Sequence, residues 1–329
     1  MKITTLLSAS VAALVSSQAF AADAIVAAEP EALEYVRVCD AFGTGFFYIP
    51  GTETCLKIGG VVRFQVDISK DVVGNSDWNA WTRADVTFDA RSETELGTLG
   101  GFVRLRGEPS TGSAGAGVSV HEAYIDLGGL RVGLFNNWWD DDIAGEGDAL
   151  SSNAKFNSIR YQHDAGSFQA GLSIDELEGI ALAGSVDNNI GISGNLGFAL
   201  GAVTANLIGG YDIDREEGAV RLIANAQVGP GTLGFAAVWA SGVNAYYAES
   251  EWAIAGSYAV QASDKLTVTG LVQYSDQVAF NPAVDKWSYG LTAAYNVTRG
   301  LDLTAAVTYE DQDLADDVTK GFIRLERSF

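Results

Sequence analysis

The sequence predicts an all-β protein, a transmembrane antiparallel β-barrel, and three observations carry the prediction. The first is period-2 alternation: Val62, Phe64, Val66 and Ile68 fall on one face of an extended strand, and Arg63, Gln65 and Asp67 fall on the other. The second is the failure of the helical alternative. The charge-free stretches 188–211 and 222–248 are apolar enough to suggest membrane helices, but Gly191, Gly194, Gly197, Gly201, Gly209 and Gly210 interrupt one, and Gly229-Pro230-Gly231 cuts the other. An interior glycine costs a helix about 1 kcal/mol relative to alanine, and a proline about 3 kcal/mol. The third is the N-terminus, where Lys2 precedes a short apolar run closing on Ala19-Phe20-Ala21, the pattern of a secretory signal peptide. A soluble β-sandwich would also alternate. An exported chain with so much apolar strand surface fits a closed barrel better, apolar towards lipid and polar towards a water-filled lumen.

The pattern repeats element by element. Ala84, Val86, Phe88 and Ala90 oppose Arg83, Asp85, Thr87, Asp89 and Arg91, and Val103 and Leu105 oppose Arg104 and Arg106. Phe168, Ala170, Leu172 and Ile174 oppose Gln169, Gly171, Ser173 and Asp175, and Val220, Leu222 and Ala224 oppose Arg221, Asn225 and Gln227. With glycine, proline and acidic clusters as punctuation, sixteen strands are predicted, at 55–69, 78–92, 98–108, 118–128, 130–138, 155–164, 167–176, 182–195, 201–212, 217–228, 232–241, 250–260, 265–276, 285–297, 301–311 and 317–329. Short turns at 128–129, 164–167, 229–231, 261–264 and 298–300 belong to the periplasmic rim. Longer or more acidic connections at 70–77, 109–117, 136–154, 212–217, 242–249 and 312–317 belong outside. Tyr211, Trp239, Trp252, Tyr258, Tyr274, Trp287, Tyr295 and Tyr309 lie near strand ends, where interfacial girdles form. The chain thus divides into a signal peptide at 1–21, an N-terminal periplasmic or plug-like segment at 22–54, and the barrel at 55–329.

Composition removes other classes. Against 20 Lys and Arg stand 42 Asp and Glu, a net charge of -22, so the basic clusters that neutralise phosphates are missing and no nucleic-acid partner is expected. A hydrophobic content of 47% excludes disorder. If the apolar half faces lipid and the charge faces water, little conventional core remains. Cys39 and Cys55, in an oxidising compartment, predict a disulfide; two thiols without a neighbouring histidine make a poor metal set, and neither metal nor other cofactor is expected. No phosphate-binding glycine loop, dinucleotide fingerprint, zinc-helix motif or nucleophile elbow occurs, and His121 and His163 sit near strand ends without a local triad pattern, so the chain reads as non-enzymatic.

Several segments carry a family resemblance: Ala22-Asp23-Ala24-Ile25-Val26, Glu34 to Cys39 (EYVRVC), Phe47 to Leu56 (FYIPGTETCL), Ser92 to Leu99 (SETELGTL), Ala123 to Gly133 (AYIDLGGLRVG) and the ending Arg324 to Phe329 (RLERSF). Together they resemble the general porins of alphaproteobacterial outer membranes, of the Rhizobiales type. The resemblance implies a homotrimer in the outer membrane and a third external loop folded into the channel.

That loop holds Asp140, Asp141, Asp142, Glu146 and Asp148 within nine residues, whereas Arg63, Arg83, Arg104 and Arg106 take inward positions on neighbouring strands. Bent inwards, the loop would set acids against a basic wall and create a transverse field across a constriction. The expected function is passive passage of small hydrophilic solutes and ions, with mild cation preference. The alternatives are a blocked structural or adhesive barrel for the chain, a solvated external loop or a calcium site for the acids, and simple pairing with Asp67 and Asp85 for the arginines. The remaining outer-loop acids, Asp212, Asp214, Glu216 and Glu217 and Asp311, Asp313, Asp316 and Asp317, read as solvated loop charge, with divalent bridging to surface lipid as the alternative; outer-membrane lipid and lipopolysaccharide are the expected surroundings.

Overall fold

The structure, a computed structural model, describes residues 37–109, 117–180, 182 and 190–329. The predicted signal peptide and the stretch 22–36 lie outside the described residues. A two-residue strand, β1 (Phe47–Tyr48), precedes sixteen long ones: β2 (Cys55–Val73), β3 (Ser76–Thr94), β4 (Gly97–Gly107), β5 (Val118–Leu127), β6 (Leu130–Asn136), β7 (Lys155–Asp164), β8 (Phe168–Glu176), β9 (Ile190–Leu200), β10 (Val203–Asp212), β11 (Glu217–Val228), β12 (Gly231–Ala240), β13 (Ser250–Ser263), β14 (Leu266–Val278), β15 (Lys286–Thr298), β16 (Leu301–Gln312) and β17 (Val318–Ser328). Each long strand pairs with the next, and β17 returns antiparallel to β2, from Lys320↔Ser69 to Ser328↔Val61. Closure is what a sheet surrounded by hydrocarbon needs, since lipid offers no partner to a bare N–H or C=O. Among the described residues no helix is long and apolar enough to cross a membrane.

Side-chain direction follows the alternation. Val62, Phe64 and Ile68 of β2 are exposed on the outer face, whereas Gln65 between them is buried on the inner one. On β8, Leu172 and Ile174 point outwards, and Ser173 and Asp175 are buried inside.

Observed strands match the predicted ones to within a few residues, with one exception. Much of the predicted strand 182–195 lies at 183–189, outside the described residues; the described strand β9 runs from Ile190 to Leu200, beyond the predicted end, its frame set by the pairs Ile190↔Glu176 and Leu200↔Val203. Gly197 reads as turn punctuation in the sequence, yet in the structure it lies within the strand, where Gln169 and Asn206 occupy the room a side chain would need. The turn itself falls at Gly201, whose φ of 61° suits glycine. The connection 70–77 is also shorter than expected: β2 and β3 extend into it and leave a turn at Gly74 and Asn75, after a register shift between Ile68 and Val73.

The expectation of little core fails in a specific place. A buried apolar cluster lies inside the barrel, on the inner wall of β10 to β14, where Ile208, Ala219, Ile223, Ala236, Val238, Ala253, Ala255 and Leu271 point inwards. Trp138, Trp139, Ile143 and Leu150 from the connection 137–154, with Tyr246 and Tyr247 from 241–249, pack against that wall. The strand periodicity holds, but on this wall an inward position is not always a polar one. On this arc apolar side chains occur on both faces, because external loops cover the inner one, where apolar residues alternate with buried polar ones such as Arg221 and Gln273.

Candidate functional site

The connection 137–154 leaves the wall early, since β6 stops after 7 residues, whereas β5 and β7 each have 10. Asn137 anchors the departure: its Nδ2 donates to Asp175 Oδ2 at 3.1 Å and to Ser193 Oγ at 2.9 Å. The same Asp175 carboxylate accepts from Ser158 and Ser173 at 2.6 Å each, from Ser193 at 2.6 Å and from Tyr246 Oη at 2.8 Å. A buried carboxylate without a cation at hand is tolerable only with its lone pairs filled in this way. Burial and the neighbouring Asp175 push the Tyr246 phenol well above its ordinary range, so it remains a donor. Trp138–Asp140 then makes a single 3-10 turn.

Three side chains from distant strands hold the loop. Arg221 of β11, fully buried, donates through Nη1 to Leu150 O at 2.9 Å and through Nη2 to Trp138 O at 3.0 Å, joining both limbs of the loop, and lies 5.0 Å from the Trp139 ring. Gln273 of β14 takes both polar groups of one peptide residue, accepting from Ala149 N–H at 2.9 Å and donating to Ala149 O at 3.1 Å. Arg324 of β17 meets Glu146 at 2.9 Å and Gln65 at 2.6 Å. The loop 241–249 braces it from above, with Asn153 Nδ2 donating to Ala245 O at 2.9 Å and Ala248 N–H to Ser152 Oγ at 2.8 Å. Inner-wall glycines make this packing possible. A Cβ at Gly171 would enter the Trp138 indole, and one at Gly210 would enter the Tyr246 ring.

The predicted acids take different environments. Asp140 accepts from Asn136 Nδ2 at 2.6 Å, Glu146 pairs with Arg324, and Asp142 lies 3.8 Å from Arg221. Loss of water around Asp142, reinforced by Asp148, pushes its carboxyl up to about 7. Burial raises Asp141 and Asp148 as well, and the Asp148 Oδ2 has no hydrogen-bond partner among the described residues.

The predicted basic residues all lie on the inner wall, and each has a carboxylate: Arg63 with Glu326 at 2.7 Å, Arg83 with Glu108 at 2.6 Å, Arg104 with Asp85 and with Glu122 at 3.1 Å, and Arg106 with Asp85 at 2.8 Å. Asp85 pairs as expected. Asp67 instead accepts from Gln65 and from the Trp81 indole, at 2.6 and 2.7 Å. Among the described residues, Glu146 is the one loop acid that forms an ion pair with this side of the wall, through Arg324. The sequence reading missed Arg324 and Gln273 as contacts of the loop, and although it assigned Arg221 inwards, it saw no reason to single it out.

At the short-turn rim, Cys39 and Cys55 form a disulfide with a Cα–Cα separation of 6.0 Å. Phe46, buried beside them, lies 5.8 Å from the Lys57 ammonium and 5.4 Å from the Arg91 guanidinium.

A closed sixteen-stranded barrel with an apolar exterior and an inner wall of ion pairs defines the class of outer-membrane channel proteins. This chain belongs to the porin subfamily, whose family model matches residues 23–324. It is 44% identical to outer membrane protein IIIA of Rhizobium leguminosarum bv. viciae, over 98% of this chain and 93% of that one. It is 33% identical to porin Omp2b of Brucella suis over the full length of both. Among solved structures, the outer membrane channel DcaP of Acinetobacter baumannii has a TM-score of 0.67 at 13% identity, covering 86% of this chain and 99% of that one. A triple mutant of the Rhodopseudomonas blastica porin has a TM-score of 0.63 at 17% identity, covering 83% and 100%. The protein is a general diffusion channel of the outer membrane.

Proposed function

We propose that residues 137–154 form the constriction of this channel, with Asp140, Asp141, Asp142, Glu146 and Asp148 facing a wall of Arg63, Arg83, Arg104 and Arg106. The observation that carries the reading is the division of the inner wall. Apolar packing occupies the arc β10 to β14, and the ion pairs of β2 to β5 and β17 border the space that remains. Opposed charge across such a gap orients water and dipolar solutes and disfavours apolar ones.

A mild cation preference follows, because the four arginines already hold carboxylates, whereas the nearest cation to Asp140, Asp141 or Asp142 in an ion pair is Arg221, at 3.8 Å from Asp142. Reversal potentials in a potassium chloride gradient test this, and a clear chloride preference would refute it. A blocked structural barrel is the competing reading, and the apolar packing inside the lumen speaks for it. Planar-bilayer recording separates the two: steady ohmic steps support the channel, and their absence from purified protein removes it. For the assembly we infer a homotrimer embedded in outer-membrane lipid and lipopolysaccharide, with 22–54 as a periplasmic segment. Native electrophoresis of detergent-extracted protein that yields only monomer overturns the trimer.

A further inference from the structure

A row of inward residues crosses five strands near the short-turn rim. The registers Arg91↔Gly100, Gly100↔Asp126, Asp126↔Arg131 and Arg131↔Arg160 set Arg, Gly, Asp, Arg and Arg side by side on β3 to β7. The row lies four residues down β4 from Arg104, about 14 Å along the strand at about 3.4 Å per residue. It is therefore separate from the wall of the proposed constriction. The groups border a recess of about 520 Å³, to which Gln162 also contributes.

Two arginines directly opposite each other are unfavourable in a sheet unless something neutralises them. The barrel contains another such pair, Arg63↔Arg83, and there each guanidinium has its own carboxylate, Glu326 at 2.7 Å and Glu108 at 2.6 Å. In the lower pair only Arg131 is served, by both oxygens of Asp126 at 2.7 and 3.0 Å. Arg160 has no carboxylate within 4.0 Å among the described residues. Its Nη2 donates to Asn136 O at 2.9 Å, and its Nε, buried, has no partner. Arg91 is already bidentate with Asp89, at 2.8 and 2.7 Å. Arg160 is thus the one guanidinium of the row without a directly paired carboxylate among the described residues, although Asp164 also borders the recess.

Aromatic rings fix these guanidinium groups. Arg160 lies 4.5 Å from the Phe135 ring and 4.2 Å from Trp138, and Arg131 lies 4.1 Å from Tyr124. Rings engage the flat faces of guanidinium groups and leave their N–H edges to oxygen ligands.

We propose that the recess bounded by Arg131 and Arg160 is a binding site for a small oxyanion, a phosphate or carboxylate whose oxygens bridge the two guanidiniums. It rests on the channel reading only in that solute reaches it through the lumen. A bound oxyanion gives Arg160 the charge partner that every other paired arginine of the inner wall has, and it places an anion station below a cation-preferring constriction.

The test uses the full mature chain and inorganic phosphate. In planar bilayers at constant ionic strength, replacing chloride by phosphate on the short-turn side should block current in a saturable manner. R160Q should raise the half-blocking concentration about tenfold or more, the scale of one charge-assisted hydrogen bond, and R160K should fall between. Titration of detergent-solubilised protein with phosphate, followed by tryptophan fluorescence, gives a second readout through Trp138, with W138F as the control. Equal block of wild type and R160Q, or a phosphate effect no larger than that of matched chloride, overturns the site. If no conductance steps occur at all, the channel reading fails, and the fluorescence titration alone decides the site: a saturable signal that is absent from the W138F control, weakened in R160K and lost in R160Q supports it, and a flat titration of the wild type removes it. R160K retains the charge and some donors, so it also decides the matter should R160Q not yield folded barrel.

Discussion

The two arcs of the barrel solve the same problem in opposite ways. On β2 to β5 the inward side chains are ionic and are satisfied by one another across strands, as in Arg104 and Arg106 sharing Asp85. On β10 to β14 most are small or apolar, with Arg221 and Gln273 as polar anchors among them, and two external loops satisfy them, with Trp139, Ile143 and Tyr246 filling the space that glycine and alanine leave. The first arc can border water without help. The second is stable only while the loops stay in place, so loop position and wall composition are one property rather than two.

Breaking the covered arc should produce the largest effect, and Arg221 is the point of attack. Arg221→Met removes two hydrogen bonds from a charged donor to the carbonyls of Trp138 and Leu150. At about 1.5–3 kcal/mol each, the loss is about 3–6 kcal/mol of loop anchoring. Single-channel conductance should rise and liposome swelling should extend to larger sugars; unchanged conductance means the loop is held without it.

The next effect concerns the glycine seats. Gly171→Val should displace the Trp138 indole and cost about 1–3 kcal/mol, as overpacking does. Gly101, on β4 with nothing within 4 Å of an added Cβ, should accept alanine with almost no change. Thermal unfolding followed by heat-modifiable gel migration compares them, and similar melting of the two variants counts against the seat.

Sharpening the contrast from the other side, neutralising Asp140, Asp141 and Asp142 together should lower cation preference, whereas the same change at Asp316 and Asp317 should barely alter it. Equal shifts in reversal potential place the constriction elsewhere. The smallest effect is the pH response. Asp142, held up to about 7, is largely protonated and neutral below that pH and charged above it, so cation preference should grow between about pH 6 and pH 8. D142N should flatten that slope.

The strand frame was legible because a period of two is a local property, visible within six or seven residues. It missed at β9, where Gly197 serves packing rather than turning, and at 70–77, where β2 and β3 run on into the connection. Much of the candidate site was legible by position: alternation assigned Arg104, Arg106 and Arg221 to the lumen. What it did not contain was the partner of each. Arg221 looks like any lumen residue until Trp138 and Leu150, far earlier in the chain, arrive above it. Ile208 and Ile223 likewise read as exceptions to alternation, because their cover comes from loops distant in sequence. Cross-barrel contacts have no signature in a single strand's pattern.

The seam between the first and last strands has one further consequence, for assembly. Phe329 ends the chain by exchanging two backbone hydrogen bonds with Gly60, at 3.1 and 3.0 Å. Since β2 begins at Cys55, its first residues extend beyond the reach of β17 and leave a short bare edge at the rim. β1 covers its first two residues, pairing Phe47 with Leu56 and Tyr48 with Cys55. The loop closed by the Cys39–Cys55 disulfide is therefore an edge guard: it caps the start of the bare edge at the seam, where a second chain could otherwise add a strand.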